Sequence, residues 1–512
     1  MRSLAVLPGD SQCFVTRASS RTGRCAKRPV FRFARTARPK MMSTHLRIAW
    51  AAWLMPLLLL TLPAVVQAQF NFTTNNGAIT ITGYNGSGGT VIIPSTTNGL
   101  PVTSVVSCQF RNLSSVTTVT VPDSVTNIGF GAFESFAYGS GPAPDSFLSA
   151  IRVDTNNPVY GSLDGVLLDK IHGTLIQYPC GKAGSNYIIP NSVTNIANDA
   201  FYYCTNLGSV TITGNVTNIG AQAFQFCISL TNATIGDSVT SIGANAFSGT
   251  TLTSVTIGTN VTSVGAYAFN GTRLTSVTIP NSVTSIGNST FHNCHALTNV
   301  TIGESVTDIG AGAFLGTSLT SVTIPNSVTS IGLQAFYGCT SLTNLTMGNS
   351  VTSIGTEAVA YCSSLTQLTF PTSVTSIGDD PFVGCSSLMG LYFRGNAPSI
   401  GSNHFSNESS AIVYYLPGTT GWGSIFGDRP TELWFLLNPL ILNNPSFGVQ
   451  TNAFGFIISW ATNIPVVVEA CADLTEHTWS PVSTNTLTNG SSYFNDPQWT
   501  NYPARFYRLR SP

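Results

Sequence analysis

The chain has few charged side chains, and after its first seventy residues it has no long apolar run. Asp, Glu, Lys and Arg together make up 8% of the 512 residues. A catalytic site needs polar groups of matched pKa that converge in a pocket, and the central part of the chain is too poor in them to pair an acid with a base. The sequence also lacks a His-Glu-x-x-His helix, a P-loop and a Gly-x-Ser-x-Gly elbow. We therefore predict a non-enzymatic protein with no catalytic residue, no metal and no cofactor.

The even charge total hides an uneven distribution. Of the 21 basic residues 11 precede residue 69, together with one of the 21 acidic residues, so residues 69–512 carry 10 basic and 20 acidic side chains. This negative excess argues against a nucleic-acid partner, which would be held through its phosphates.

The stretch MMSTHLRIAWAAWLMPLLLLTLPAVVQAQF has the layout of a secretory signal peptide. Arg47 precedes an apolar run from Ile48 to Leu62, and small residues follow at Val66 and Ala68. We predict cleavage between Ala68 and Gln69. A membrane anchor is the alternative, but the uninterrupted apolar core is short for a bilayer span.

Residues 1–40 resemble neither a domain nor an ordinary signal start. We interpret Met41 or Met42 as the true start and residues 1–68 as the signal region. The chain is then expected to be secreted or displayed at the cell surface, and no later segment is long and apolar enough to span a membrane.

The dominant feature is an internal repeat, visible in LTSVTIPNSVTSIGNSTFHNCHALTNVTIGESVTDIG (residues 274–310). Variants of V-T-x-I-G recur every 22 or 23 residues, beginning at Val193, Val216, Val239, Val261, Val283, Val306, Val328, Val351 and Val374. Degenerate units start at Val102 and Val125, and a truncated one starts at Ala397. A period of this size is the signature of a solenoid, in which stacked coils bury apolar faces that one coil alone cannot cover.

Each unit predicts two short extended segments and one turn. In the unit at Val283, the segment Leu297–Ile302 fits an L-x-x-L-x-L strand, and SVTSIG predicts a second extended piece. The segment NSTFHNC predicts an irregular or short helical turn. Phenylalanine recurs at residues 201, 224, 247, 269, 291, 314, 336 and 382, with Val359 as the exception, which predicts a continuous internal row of rings.

These residues resemble the BspA-type bacterial leucine-rich repeat family, whose pattern is close to L-x-x-V-x-I-P-x-S-V-x-x-I-G-x-x-A-F-x-x-C-x-x-L. The likeness runs from roughly Leu100 to Phe405. It implies a β-rich leucine-rich-repeat solenoid in a secreted or surface-displayed bacterial protein, several relatives of which serve adhesion or protein binding. The family pattern contains no catalytic residue.

Six cysteines occupy one position of the repeat: Cys204, Cys227, Cys294, Cys339, Cys362 and Cys385. Disulfides are expected in secreted proteins, yet stacked equivalents lie side by side and bridging needs converging Cβ vectors. We predict buried reduced thiols, and Cys108, Cys180 and Cys471 are too scattered in sequence to be paired.

The regions around the repeats predict a modular chain. Residues 69–101 read as an N-terminal β cap and residues 102–411 as the solenoid, interrupted at about 134–190 by a hairpin insertion. Residues 412–435 form a C-terminal cap and linker. The changed composition of residues 436–512 predicts a small all-β, sandwich-like domain.

Within the insertion, Val166–Asp169 and Thr174–Tyr178 predict a β-hairpin that turns at His172 and Gly173. Tyr187–Pro190 then resumes the repeat strand.

Two clusters have residue types that can bind metals: His292, Cys294 and His295, and the oxygen-bearing Asp154, Asn156 and Asn157. Cys294 is the ordinary repeat cysteine, and Asx residues before proline usually make turns. We therefore predict no metal site at either cluster.

One extended set of side chains remains, on the outward side of the repeat strand. Stacked about 5 Å apart, its members would form two rows of hydroxyls and amides on a flat, nearly uncharged face. We call them the ladder: Ser254, Thr256, Ser276, Thr278, Asn299, Thr301, Ser321, Thr323, Asn344 and Thr346, continued by Gln367 and Thr369. Such a face could contact a protein, hydrogen-bond glycan hydroxyls or order water, and threonine also suits an exposed strand for purely structural reasons.

We predict a binding or adhesion protein that presents this repeat surface to a protein or cell-surface partner. The alternative is a polysaccharide-binding or polysaccharide-degrading protein with its site in the insertion or the C-terminal domain.

Overall fold

Each repeat folds as one coil with two short strands, and the V-T-x-I-G segment supplies the first of them. The computed structural model describes residues 69–510 apart from 107–114, 130, 134–146, 172, 403–409, 437, 443, 445, 461–463 and 476–477. The V-T-x-I-G strands pair in parallel in a 13-stranded sheet. In sheet order its strands are Ser399–Ile400, Ser376–Ile377, Ser353–Ile354, Ser330–Ile331, Asp308–Ile309, Ser285–Ile286, Ser263–Val264, Ser241–Ile242, Asn218–Ile219, Asn195–Ile196, Thr174–Gln177, Val166–Asp169 and Tyr160–Leu163.

The second strand of each coil builds two further parallel sheets. The first sheet has four strands: Asn186–Ile188, Ser209–Ile212, Asn232–Ile235 and Ser254–Thr256. The second has nine: Ser276–Thr278, Asn299–Thr301, Ser321–Thr323, Asn344–Thr346, Gln367–Phe370, Gly390–Phe393, Ile412–Tyr415, Arg429–Leu433 and Ile425–Phe426. The predicted β-rich solenoid is confirmed, and residues 412–435 extend its sheet.

The third side of each coil is neither a strand nor a regular helix. In the unit at Val283, the backbone amides of Ser289, Phe291 and Asn293 donate to carbonyl oxygens of the next coil, at 2.8 Å each. The residues two before and two after the central Phe have positive φ, as at Ser289 (54°) and Asn293 (56°). Glycine, asparagine and aspartate adopt this left-handed conformation most readily, and Ser, Gln, Glu, Tyr and Phe also take it in these coils. The predicted irregular turn is therefore an ordered row of inter-coil hydrogen bonds.

Asp199 occupies one of these left-handed positions, with φ of 56° and 6% of its surface exposed. Burial raises the pKa of its carboxyl from 3.8 to about 6. The folded state therefore holds the proton more tightly than the unfolded chain, and the free energy of unfolding should fall as pH rises from about 4 to about 6. Replacing Asp199 with Asn, which tolerates left-handed backbone, should stabilise the protein at pH 7 by up to about 2 kcal/mol. Urea unfolding of both proteins at pH 4 and pH 7 measures this, and an equal difference at the two pH values would refute it.

The core is a row of stacked phenylalanine rings. Phe224, Phe247, Phe269, Phe291, Phe314 and Phe336 lie with successive centroids 5.0 to 5.6 Å apart. The predicted internal row is confirmed, and Tyr178 extends it through a stacked contact with Phe201 at 4.8 Å.

One coil fills the same space differently. Where Val359 replaces the phenylalanine, the end of that coil's other strand carries Phe370 in place of the Ile or Met of the preceding coils, and the next coil carries Phe393 there. The Phe370 ring contacts that of Phe382 edge-on, with centroids 6.1 Å apart. We infer that the bulk lost at Val359 is restored by Phe370.

The strands before residue 102 belong largely to the solenoid itself. Ala78–Tyr84 pairs in parallel with Leu100–Val105, and Gly89–Ile92 pairs in parallel with Val116–Val121. Phe70–Asn75 covers the first edge in antiparallel orientation. The remaining strands of this end are Thr96–Thr97, Asn127–Ile128 and Ala150–Val153. Coil-like stacking therefore starts earlier than the predicted boundary, since the V-T-x-I-G pattern is too degenerate there to be recognised.

The inserted hairpin is confirmed: Val166–Asp169 pairs antiparallel with Thr174–Gln177. A strand that the sequence did not indicate, Tyr160–Leu163, pairs with the outer side of the hairpin. Thr174–Gln177 then pairs in parallel with Asn195–Ile196, so the hairpin continues the long sheet. The predicted turn residue His172 lies outside the described residues.

The C-terminal part is all-β, as predicted. One sheet contains Leu440–Leu442, Gly448–Gln450, Ala453–Ser459 and Ser491–Asp496, and the other Pro465–Cys471, Ser480–Thr486 and Phe506–Arg510. Between them lies a core of Phe456, Ile458, Val466, Val468, Leu487 and Phe494. A short 3-10 helix spans Trp499–Asn501. Within the described residues, no helix has both the length and the apolar character of a membrane span.

The cysteine prediction is wrong at one place. Cys180 and Cys204 form a disulfide, with Cα atoms 4.6 Å apart. The inserted hairpin returns the chain to the coil before Cys204, so two residues that look scattered in sequence become neighbours. Cys108 lies outside the described residues.

For the other repeat cysteines the prediction of buried free thiols is confirmed. The Cys294 thiol donates to the Phe269 carbonyl oxygen of the preceding coil at 3.1 Å, and the remaining repeat thiols make the same contact. In the shorter units the buried Thr250, Thr272 and Thr317 take this position.

Alkylation followed by peptide mapping should distinguish the two kinds of cysteine. Burial raises the pKa of the Cys294 thiol to about 11, so the reactive thiolate is scarce and the native protein should react slowly. In denaturant without reductant, we expect the Cys294 peptide to be labelled and the peptides of Cys180 and Cys204 to stay unlabelled until reduction. Labelling of Cys180 before reduction would contradict the assigned bridge.

Candidate binding face

The structure places all ten predicted ladder residues on the exposed side of the second strand of their coils. Each strand shows the alternation exposed, inward, exposed from Ser254–Thr256 to Asn344–Thr346. Register pairs Thr278 with Thr301, and Thr323 with Thr346. Ser254 and Thr256 lie at the end of the four-stranded sheet, and the other eight lie in the nine-stranded sheet.

Threonine in this protein has two distinct roles. In the V-T-x-I-G column, the hydroxyl of Thr240 donates to the carbonyl oxygen of Thr217 one coil earlier, at 3.1 Å. The threonines that precede the ladder strands do the same, as Thr298 does to Thr275 at 3.2 Å. The hydroxyls of the ladder donate no hydrogen bond to any described residue. The Ser321 hydroxyl accepts one, from the side-chain amide of Asn344 at 3.4 Å. The ladder hydroxyls are therefore available to a ligand.

A groove of about 530 Å³ runs along the C-terminal part of the ladder, where the sequence predicted a flat face. Residues of the turns that follow the strands, such as Pro325, Gly348 and Pro371, also line it. Of the described residues that line it, Glu304 and Arg394 carry charge, and at about 4.8 Å per strand they lie about 19 Å apart along the sheet. The rest of its polar lining is uncharged: Thr323, Asn326, Asn344, Thr346, Asn349, Gln367 and Thr369.

Aromatic side chains continue the threonine row beyond the groove. Thr369 pairs in register with Tyr392, and Tyr392 with Tyr414. The two tyrosine rings are stacked with centroids 4.9 Å apart, and Trp434 lies 5.0 Å from Tyr392. A Cβ on Gly390 would lie 2.8 Å from the Tyr392 ring, so glycine is what allows the ring to lie over the strand. We call these three half-buried rings, Tyr392, Tyr414 and Trp434, the aromatic end.

Sequence reasoning missed the aromatic end. Its signal is the alignment of QLTF (367–370) with GLYF (390–393) and IVYY (412–415), which puts tyrosine at threonine positions. Burial, with Glu432 and Tyr392 close by, raises the pKa of Tyr414. Its phenol therefore stays neutral at physiological pH.

The repeat architecture decides the family. The model of the BspA type leucine-rich repeat region matches in six copies, over residues 89–147, 180–298 and 284–412, which is more than half of the chain. This protein belongs to the BspA-type leucine-rich repeat family. The resemblance predicted from the sequence is confirmed.

Solved structures of leucine-rich repeat proteins are similar to this BspA-type chain. A leucine-rich cell surface protein from Faecalibacterium prausnitzii is 27% identical, over 63% of this chain and 86% of its own, with a TM-score of 0.37. A leucine-rich repeat protein from Bacteroides ovatus is 24% identical, over 67% and 92%, with a TM-score of 0.44. A comparison with curated proteins gave no match.

The two metal-type clusters are parts of the BspA-type coils. Cys294 is buried, whereas the exposed His295 ring contacts the Gly316 carbonyl oxygen at 2.8 Å. The buried Asn157 amide donates to the Pro122 and Val125 carbonyl oxygens, at 2.8 Å each. Among the described residues, no group of three or more His, Cys, Asp and Glu side chains has the arrangement of a metal site.

Proposed function

We propose that this BspA-type protein is an exported, non-enzymatic binding or adhesion protein whose ladder face contacts a protein or cell-surface partner. The observation that carries the proposal is the difference between the threonine columns. In two columns the threonine hydroxyls donate hydrogen bonds to carbonyl oxygens of the preceding coil. The hydroxyls of the ladder face solvent beside a groove.

A long repeated face is suited to many weak contacts. The ladder is nearly uncharged and each coil presents almost the same pair of groups, so no single hydroxyl is expected to dominate the binding energy. Affinity should therefore grow with the number of coils that engage the partner.

The test is stepwise removal of coils. Deleting residues 283–305, and then 261–305, joins equivalent repeat positions and keeps the coil register. Because each coil contacts only its neighbours, the shortened solenoids are expected to fold. Binding to bacterial or host cells, measured by flow cytometry, should weaken with each deletion, while replacing any one ladder Ser or Thr with Ala should change it little.

A second variant keeps the chain length. Thr301, Thr323 and Thr346 are replaced together by Lys, which adds charge to the face without altering the coils. Unchanged cell binding by this variant, or loss of binding after a single Ser or Thr replacement, would overturn the proposal.

Localisation and domain limits are part of the same proposal. We propose export through residues 1–68 with cleavage before Gln69, which N-terminal sequencing of the secreted protein checks. We also propose that residues 436–512 form a separate domain for attachment, sorting or capping. Turnover of a polysaccharide by the purified protein, lost on removing 436–512, would favour an enzyme instead.

A further inference from the structure

We propose that the ligand of the ladder face is a neutral glycan chain that lies along the solenoid axis, with sugar rings packed against the aromatic end. This inference rests on the proposed function and names the chemical class of its partner. It joins two observations: a polar groove whose middle is uncharged, between Glu304 and Arg394, and the three rings that continue its threonine row.

The groove has the chemistry of a neutral, hydroxyl-rich ligand. Hydroxyls of Thr323, Thr346 and Thr369 both donate and accept hydrogen bonds, and the amides of Asn344 and Gln367 add paired donors and acceptors. A sugar hydroxyl has the same dual capacity. An acidic glycan or a strongly charged peptide would find no compensating charge in the middle of the groove.

The spacing of the groups suits a chain of sugars. Successive coils place equivalent side chains about 4.8 Å apart along the sheet, which is close to the length of one pyranose in an extended glycan. Each sugar can therefore meet a similar pair of polar groups, and the contacts add along the chain.

The aromatic end can make the apolar contacts of sugar binding. Pyranose rings present patches of C–H groups, and these pack on aromatic faces because the ring face carries partial negative charge. Tyr392 follows Thr369 in register and Tyr414 covers one face of its ring, so a glycan in the groove that extends toward the C-terminus reaches Tyr392 first.

Two other occupants fit the face less well. A peptide cannot add as a strand here, since the backbone groups of the ladder strands already pair with neighbouring coils. Ordering of ice-like water needs a flat, regular array, whereas one ladder column mixes Ser, Asn and Gln and the other ends in tyrosine.

The experiment is a glycan array with the purified protein, followed by calorimetry with neutral and uronic-acid-containing oligosaccharides. We expect neutral glycans of several sugars to bind, and Tyr392→Ala to weaken binding by about tenfold or more, equivalent to about 1.4 kcal/mol. Tyr392→Phe, which keeps the ring, should stay within about threefold of the parent, a change of less than about 0.7 kcal/mol.

Tyr361 provides the matched control. It is 45% exposed and lies beside Tyr337 on the turn side of the coils, with ring centroids 5.0 Å apart. Tyr361→Ala should leave glycan binding unchanged, and unfolding temperatures of all variants exclude misfolding as the cause of any loss. Equal losses in Tyr392→Ala and Tyr361→Ala, or preference for acidic glycans, would overturn the inference.

Cell binding separates this inference from the proposed function. Suppose that the protein binds cells, that the triple Thr→Lys variant does not, and that no glycan binds. If protease treatment of the cells then abolishes binding, the partner is a protein. The glycan inference then fails while the proposed function stands. If ladder variants bind cells as well as the parent does, the proposed function fails.

Discussion

Replacing Gly265 with Ala should destabilise the protein by about 3 kcal/mol or more, because the added methyl group would collide with backbone. A Cβ at this position would lie 2.5 Å from the Ala244 nitrogen and 2.7 Å from the Gly243 carbonyl carbon. The amide of Gly265 also donates to the Ile242 carbonyl oxygen at 2.8 Å, which holds the coils at this distance. No flexible side chain can move aside, so the coils themselves must separate.

The free energy of unfolding in urea measures this effect, and Gly338→Asn is the matched control. Gly338 has φ of 67° and open space around its Cβ position. Asn293 holds the equivalent place in another coil with φ of 56°, so asparagine is compatible there. We expect this control to cost at most about 1 kcal/mol. If Gly265→Ala were no more harmful than the control, close coil contact would not explain the glycine of V-T-x-I-G.

Replacing Phe291 with Ala should cost about 3–5 kcal/mol, as for other large core residues truncated to alanine. The side chain is 1% exposed. Its ring stacks on Phe269 at 5.6 Å and on Phe314 at 5.5 Å, nearly parallel to both. Truncation removes two ring contacts and leaves a cavity between coils that the hydrogen-bonded backbone cannot close.

Urea unfolding measures the loss of stability in Phe291→Ala, and hydrogen exchange should show which coils lose protection. Each coil contacts only its neighbours, so amides of the coils that contain Phe269 and Phe314 should lose protection first. Phe291→Leu, which keeps much of the volume, should cost less than Phe291→Ala. A loss below about 1 kcal/mol for Phe291→Ala would show that the stacked row is not essential to the core.

Val359 indicates how such a loss can be compensated. This coil lacks the phenylalanine but carries Phe370 at another inward position, next to Phe382. The sequence alone marks Val359 as an exception, and only the packing relates it to Phe370.

Much of the fold and part of the site follow from the sequence because the repeat places equivalent residues at a constant spacing. Alternation along Asn299–Thr301 suffices to predict which side chains face outward. The position of Tyr392 in the threonine row was not predicted, because the unit at Val374 keeps its inward pattern while Tyr replaces the usual outward Thr. Whether the ladder binds a ligand stays a prediction.

The sequence by itself determined the solenoid, its period, the inward phenylalanine row and the outward ladder, since all of these depend on contacts between identical positions of successive repeats. Only the tertiary structure decided that Cys180 pairs with Cys204, that the turn side uses left-handed residues for inter-coil hydrogen bonds, and that the ladder lines a groove with aromatic rings beyond it. These features depend on how neighbouring coils pack against each other and on residues that depart from the repeat pattern. The period alone does not specify them.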